Sequence, residues 1–307
     1  MDQEGREMAI KVANAPISWG IMEHVEHPAD YPYGRVLDEI AAAGYTGTEL
    51  GPYGFLPAEP AILRRELDKR SLTLCSAFVD IELGNVAAHS EGLAYVARSA
   101  RLISDAGARL LILSDRITPE RNATAGRRED ANQVSWSEAG WQAAAKAIGE
   151  VIVQCKAVGL RVAFHHHAGS HVETPEEVDR LFSLFPADQL GLCLDTGHYV
   201  YCGGDTVAFL EKQVSRVWCV HLKDVYETKA AEARRARMNF HEAVRHGVFA
   251  PLGEGSIDFS RVVSLLQKGN FDGWVVVEAD VLPGGVGADA PLANARAGRE
   301  YLQKLGI

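Results

Sequence analysis

Three histidines stand in a row at the end of an apolar run, residues 161–167 (RVAFHHH), and three later runs also end in groups that carry protons or hold cations. These are 190–198 (LGLCLDTGH), 217–224 (VWCVHLKD) and 274–280 (WVVVEAD). Side chains alternate along a strand, so His165 and His167 share a direction with small Ala163, while His166 points the other way with Val162 and Phe164. Asp195, His221 and Glu278 sit in or close runs where an unpaired charge would be costly. Neutral imidazoles mixed with carboxylates suit Mn²⁺ or Co²⁺, with Mg²⁺, Fe²⁺ or Zn²⁺ as alternatives, better than Ca²⁺ with its all-oxygen shells. Such an ion would polarise a carbonyl and stabilise an enediolate. Plainer readings stand beside these: Asp195 as the cap of the next turn, His221 as a hydrogen-bonded core histidine, the triplet as a polar strand end.

Weaker candidates surround this set. Glu49 ends an earlier run and is either a supporting carboxylate or a turn stabiliser. Trp19 could stack on a sugar ring or wall a cavity. Lys223 and Asp224 could bind substrate oxygens or pair with each other. Glu254 lies in PLGEG, whose glycines would bring backbone close to a ligand. The stretch 234–237 (RRAR) reads as a solvated helix face.

Eight short apolar runs, near 10–15, 46–50, 72–79, 109–113, 161–167, 190–194, 216–222 and 274–278, alternate with helical patterns. Buried parallel strands read this way, and the alternation predicts an α/β chain forming one (β/α)8 TIM barrel over 1–307. Strand C-termini converge on one mouth of such a barrel, so the groups above would meet there. No GxGxxG or GxxxxGK[ST] follows a strand, which removes the support for a doubly wound nucleotide-binding sheet. Thr174, Pro175 and Glu177 form a helix start, with Thr at the N-cap, Pro at N1 and Glu at N3. Residues 118–135 are a long polar connection expected at the mouth or against a partner subunit. Residues 228–246 read as one basic helical insertion.

At 307 residues and 47% hydrophobic content the chain can bury a large core. Its 31 basic against 41 acidic residues give a net charge of −10, which disfavours nucleic acid or an anionic membrane as partner. A small molecule, neutral or modestly charged, is the expected ligand; a homo-oligomer is left open. Five scattered cysteines without a CxxC, a polar start and no run long enough to span a bilayer predict a cytoplasmic protein with free thiols.

The stretches 15–20 (APISWG), 44–57 (GYTGTELGPYGFLP), the HHHAGSH run from His165, LDTGH, and the HLKDV and GVFAPLGEGSIDF blocks resemble the inosose (2-keto-myo-inositol) dehydratases of the xylose-isomerase-like barrel superfamily. The resemblance covers almost the whole chain. It implies a metal-dependent lyase that dehydrates a cyclic keto-polyol through an enediolate. The superfamily's metal set of Glu, Asp, His and Glu falls on His165, Asp195, His221 and Glu278, with His in place of the first Glu and His167 as the other candidate there. His198 matches a substrate-hydroxyl contact of related epimerases. The proton-transfer groups would be His167, Glu278 or His165. The segment 280–289 is longer and less polar than in the dehydratases. A keto-sugar epimerase or isomerase, a 3-keto-glycoside lyase, and a non-enzymatic sugar-binding barrel are the alternatives.

Overall fold

The computed structural model describes residues 10–280 and 290–307. Eight parallel strands close into a barrel: β1 (Lys11–Asn14), β2 (Gly47–Glu49), β3 (Thr73–Ile81), β4 (Leu110–Asp115), β5 (Arg161–His165), β6 (Gly191–Asp195), β7 (Val217–Leu222) and β8 (Trp274–Val277). Their order around the barrel is sequential, and β1 pairs with β8 to seal it, Lys11 opposite Trp274. The expected (β/α)8 barrel is therefore the observed one. All but the first residue of the 280–289 segment that sequence reading singled out, and the polar N-terminus 1–9, lie outside the described residues.

The two faces of each strand divide the core as period two requires. Val162, Phe164, Leu192, Leu194, Val220, Leu222, Val275 and Val277 pack outward against the helices. Ala13, Cys75, Ile112, Ala163, Cys193, Cys219 and Val276 fill the interior. Small or slim side chains suit this crowded axis, and the cysteines serve as compact apolar filler, all five of them buried and free. At the N-terminal end the barrel is plugged by Trp218 and Trp274, whose rings occupy the space that a Cβ at Gly191 or Gly47 would need. The opposite end is left for chemistry.

Three connections differ from expectation. Residues 118–135 contain two short helices, Pro119–Thr124 and Arg128–Gln133, because Thr118 caps the first through the Arg121 amide and Pro119 presets its φ. The basic insertion is two helices, Glu227–Arg235 and Phe240–His246, broken at Arg237 (φ 53°) and restarted by a capping box between Asn239 and Glu242. Between them and the barrel runs a small antiparallel pair, Asp224–Val225 with Phe249–Ala250. The capping box at Thr174 and Glu177 is present as read. No helix among the described residues is long and apolar enough to cross a membrane.

Candidate active site

One layer above the interior filler, the strand ends supply polar side chains. Register places Asp195 beside His221, and His165 beside Cys193, two residues below Asp195. Ser114, Glu49 and Glu278 complete the layer, and with His165 and His221 they line a cavity of about 540 Å³ that opens at the strand C-termini, Asp195 lying buried behind them.

Lys223 lies at the centre with 1% exposure, its Nζ 2.9 Å from Glu278 Oε2, 2.5 Å from Asp280 Oδ1, 3.3 Å from Asp195 Oδ2 and 3.4 Å from His198 Nε2. Burial alone would discharge it, but the carboxylates of Asp195, Asp280 and Glu278 hold its pKa well above the usual lysine value. Its aliphatic stem passes where Gly197 of LDTGH has no Cβ, which gives that glycine a packing reason. Asp280 is pushed up to about 6 by burial, with Lys223 opposing.

Asp195 takes the capping role read for it, and its second oxygen is left toward the histidines. Its Oδ1 accepts from the His198 amide at 2.7 Å and caps the helix Thr196–Tyr201, while its Oδ2 makes no hydrogen bond and lies 3.6 Å from His165 Nε2. His221 faces two carboxylates, Glu49 Oε1 at 3.2 Å from Nε2 and Glu278 Oε1 at 3.0 Å from Nδ1. Glu49 is further held by the Ser76 hydroxyl at 2.7 Å.

His167 donates its Nδ1–H to the Ala168 carbonyl at 2.8 Å, which fixes the tautomer and leaves the Nε2 lone pair for the cavity. Burial, then His165 and Lys223, lower its pKa to about 3, so it is neutral at physiological pH. Its ring centroid is 3.9 Å from that of His198, itself kept neutral by burial. His166 faces the helices with both nitrogens unbonded and its ring against Tyr199.

Two candidates fall elsewhere. Trp19 is 1% exposed in the main core and donates its indole N–H to Glu39 at 2.6 Å, so it does not line the cavity. Glu254 is exposed and accepts from the Tyr226 hydroxyl. The glycines of PLGEG bring backbone to Asp224 rather than to a ligand: Gly253, Gly255 and Ile257 all donate amides to its carboxylate. Asp224 is thus spoken for, and the Arg234 and Arg237 guanidinia pair with Glu227 and Asp130.

Sequence reading missed a rim. Asp80 is the penultimate residue of β3 and Asp115 the last of β4, one and two residues beyond the strand ends read from sequence, and both obey the same rule of a carboxylate closing an apolar run. Asp80 pairs with His24 at 2.9 Å and Arg116 at 3.3 Å; Asp115 accepts from the Leu83 amide and from His171 Nδ1 at 2.9 Å. Glu23, from the loop after β1, also lines the cavity, and no periodicity marks it.

The donor set fits a divalent ion. Ligand atoms of His165, Asp195 and His221 lie within 4.8 Å of one another, as do those of Glu49, His221 and Glu278. Asp195 Oδ2 and His221 Nδ1 have only ion-pair neighbours, Lys223 Nζ at 3.3 Å and Glu278 Oε1 at 3.0 Å, and His165 Nδ1 is buried without a hydrogen bond, a cost of about 1–3 kcal/mol that coordination would remove. A dication here would share Asp195 and Glu278 with Lys223.

The family model described as xylose isomerase-like TIM barrel matches residues 37–305, and the chain belongs to that family. Among curated proteins, the rhizopine catabolism protein MocC of Rhizobium meliloti is 34% identical over 298 residues, covering 97% of this chain and 89% of that protein. An inosose dehydratase of Glaesserella parasuis serovar 5 is 31% identical over 304 residues, covering 96% and 97%. The solved structure of an IolI protein with a bound zinc atom matches with a TM-score of 0.71 at 14% identity, over 96% of this chain and 99% of that one, and speaks to the fold alone.

Proposed function

We propose that this chain is a metal-dependent hydro-lyase that removes water from a cyclic keto-polyol of the inosose type through an enediolate. The observation that carries it is the pairing, in one cavity, of a neutral histidine with a free Nε2 and a buried, incompletely bonded imidazole–carboxylate set, in a chain 31% identical to an inosose dehydratase. His165, Asp195, His221 and Glu278 would hold the ion, with Glu49 as the neighbouring carboxylate; Mn²⁺ or Co²⁺ is the best match to this donor set. When bound it would supply Lewis acidity at the ketone. His167 is the base that takes the α-proton, because its other nitrogen is committed to Ala168 and its Nε2 is left for the cavity. Lys223, which lines the cavity, and His198 behind it would hydrogen-bond substrate hydroxyls. Buried free thiols support work in the reducing cytoplasm.

The test is to incubate chelator-treated protein with scyllo-inosose, with and without Mn²⁺ or Co²⁺, and follow the conjugated dione by absorbance. Metal-dependent dione formation is expected, and His167→Asn should lower turnover by ~10²–10⁴-fold while retaining metal. Conversion of ketohexoses with no dione would move the assignment to an isomerase. Because MocC is named for rhizopine catabolism, a rhizopine belongs in the same panel.

A further inference from the structure

Elimination needs a second proton transfer, to the hydroxyl that departs, and the floor of the cavity is poorly equipped for it. The Lys223 ammonium is already engaged by three carboxylates, Asp195, Glu278 and Asp280. Most cavity carboxyls are engaged: Glu49 with His221 and Ser76, Asp80 with His24 and Arg116, Asp115 with Leu83 and His171, Glu278 and Asp280 with Lys223. Glu23 is the exception. Among the described residues it is the one cavity-lining carboxyl with no ion pair and no side-chain hydrogen bond, meeting only its own backbone amide.

The chain holds Glu23 in place from behind. After β1 the 3-10 turn Pro16–Trp19 closes at Gly20, whose φ of 76° suits glycine. Trp19 and Ile21 are each 1% exposed, the former pinned to Glu39, and the Ser18 hydroxyl accepts from the Ala279 amide at 3.1 Å, tying this turn to the end of β8. Two residues beyond that anchored turn, Glu23 enters the cavity beside the strand-end cluster.

We propose that Glu23 is the general acid that protonates the departing β-hydroxyl; the proposal rests on the lyase reading above. The enediolate oxygen re-forms the ketone, its C=C pair shifts to join the α and β carbons, and the β C–O bond breaks. The Glu23 proton leaves with that oxygen as water, and the carboxylate regains a proton from solvent. The surroundings favour the protonated reactant: burial first, then the facing carboxylates of Asp80, Glu49 and Glu278, raise this carboxyl well above its usual range. The other titratable groups facing it are Tyr95, which feels Glu23 in turn, and His24, which is paired to Asp80.

The experiment compares parent and Glu23→Gln, both metal-loaded, on three readouts. These are exchange of the substrate α-proton with deuterated solvent, dehydration, and elimination from an analogue carrying fluorine in place of the β-hydroxyl, since fluoride leaves without a proton. Exchange and fluoride release within ~3-fold of the parent, with dehydration down ~10²–10⁴-fold, are expected for loss of a general acid. Dehydration by Glu23→Gln at the parental rate overturns the proposal and leaves the lyase reading standing. Equal loss of all three readouts overturns it too, because Glu23 would then act in binding or folding. A parent that exchanges the α-proton but never forms the dione overturns the lyase reading and this proposal with it.

Discussion

Two buried clusters of charge, one around Arg121 and one at the barrel mouth, are built to different standards. Around Arg121, 0% exposed, every guanidinium nitrogen has a partner: Nη1 and Nη2 reach Glu177 at 3.0 and 2.8 Å, Nε reaches the Ser170 carbonyl at 2.6 Å, Nη1 also reaches the Ala131 carbonyl at 2.7 Å, and only Glu173 Oε1, 3.4 Å from Nη2, makes no hydrogen bond. Glu177 returns the favour by accepting from Ser135 and from the amides of Glu173 and Thr174. In the mouth cluster, by contrast, Asp195, His165, His198 and His221 each keep a buried polar atom without a hydrogen bond. A nearly satisfied network of this kind holds two connections together, whereas one with several unbonded atoms is stable only because the barrel imposes it, and it gains on meeting a ligand.

The contrast is broken most directly at Asp195. Asp195→Asn retains an oxygen for the His198 amide and removes only the charge, so kcat/KM should fall on the order of 10³-fold, equivalent to about 4 kcal/mol, with little loss of melting temperature. Steady-state kinetics beside thermal unfolding checks both halves. Arg121→Ala should do the reverse. It strands Glu177 and should cost about 3–5 kcal/mol of stability in urea unfolding, while folded protein keeps its metal stoichiometry.

A pH series sharpens the same comparison. Glu173, 0% exposed beside Arg121, is raised to about 7 by burial, with Arg121 opposing. Between the unfolded carboxylate range and about 7 the folded chain holds the extra proton. This contribution is therefore full at acid pH and lost as pH rises through 7. Glu173→Gln should remove that loss, on the order of 2 kcal/mol, so its stability gain over the parent should be larger at pH 8 than at pH 5. The smallest effect is expected at Glu254: Glu254→Ala should leave kcat/KM within about 2-fold and stability within about 0.5 kcal/mol, as for an exposed residue with one hydroxyl partner.

What could be read beforehand followed strict periods. Alternation separated His165 and His167 from His166 because a strand gives a side chain only two directions, and barrel closure then brought four distant strand ends to one mouth. Asp80 and Asp115 escaped only because β3 and β4 run two residues past the apolar stretch. Trp19 was misplaced for another reason: an aromatic in a loop resembles a stacking platform, and its Glu39 partner on a later helix has no signature in sequence. Glu254 was favoured by its glycines, which answer to Asp224 instead. Glu23 lies on an irregular segment, where neither period nor composition says which way a side chain turns.

The cavity floor also binds together the ends of the folding reaction. The His221–Glu49 contact joins positions 172 residues apart, and the seam β1–β8 pairs Lys11 with Trp274. Such long-range closures come late, because the chain entropy they cost is not recovered until the last strands dock. The donor atoms of the floor therefore do not exist as a set in any chain whose barrel is open. Anything that binds the set recognises the closed barrel alone and shifts the equilibrium toward it by mass action, so occupancy of the mouth adds directly to the stability of the fold.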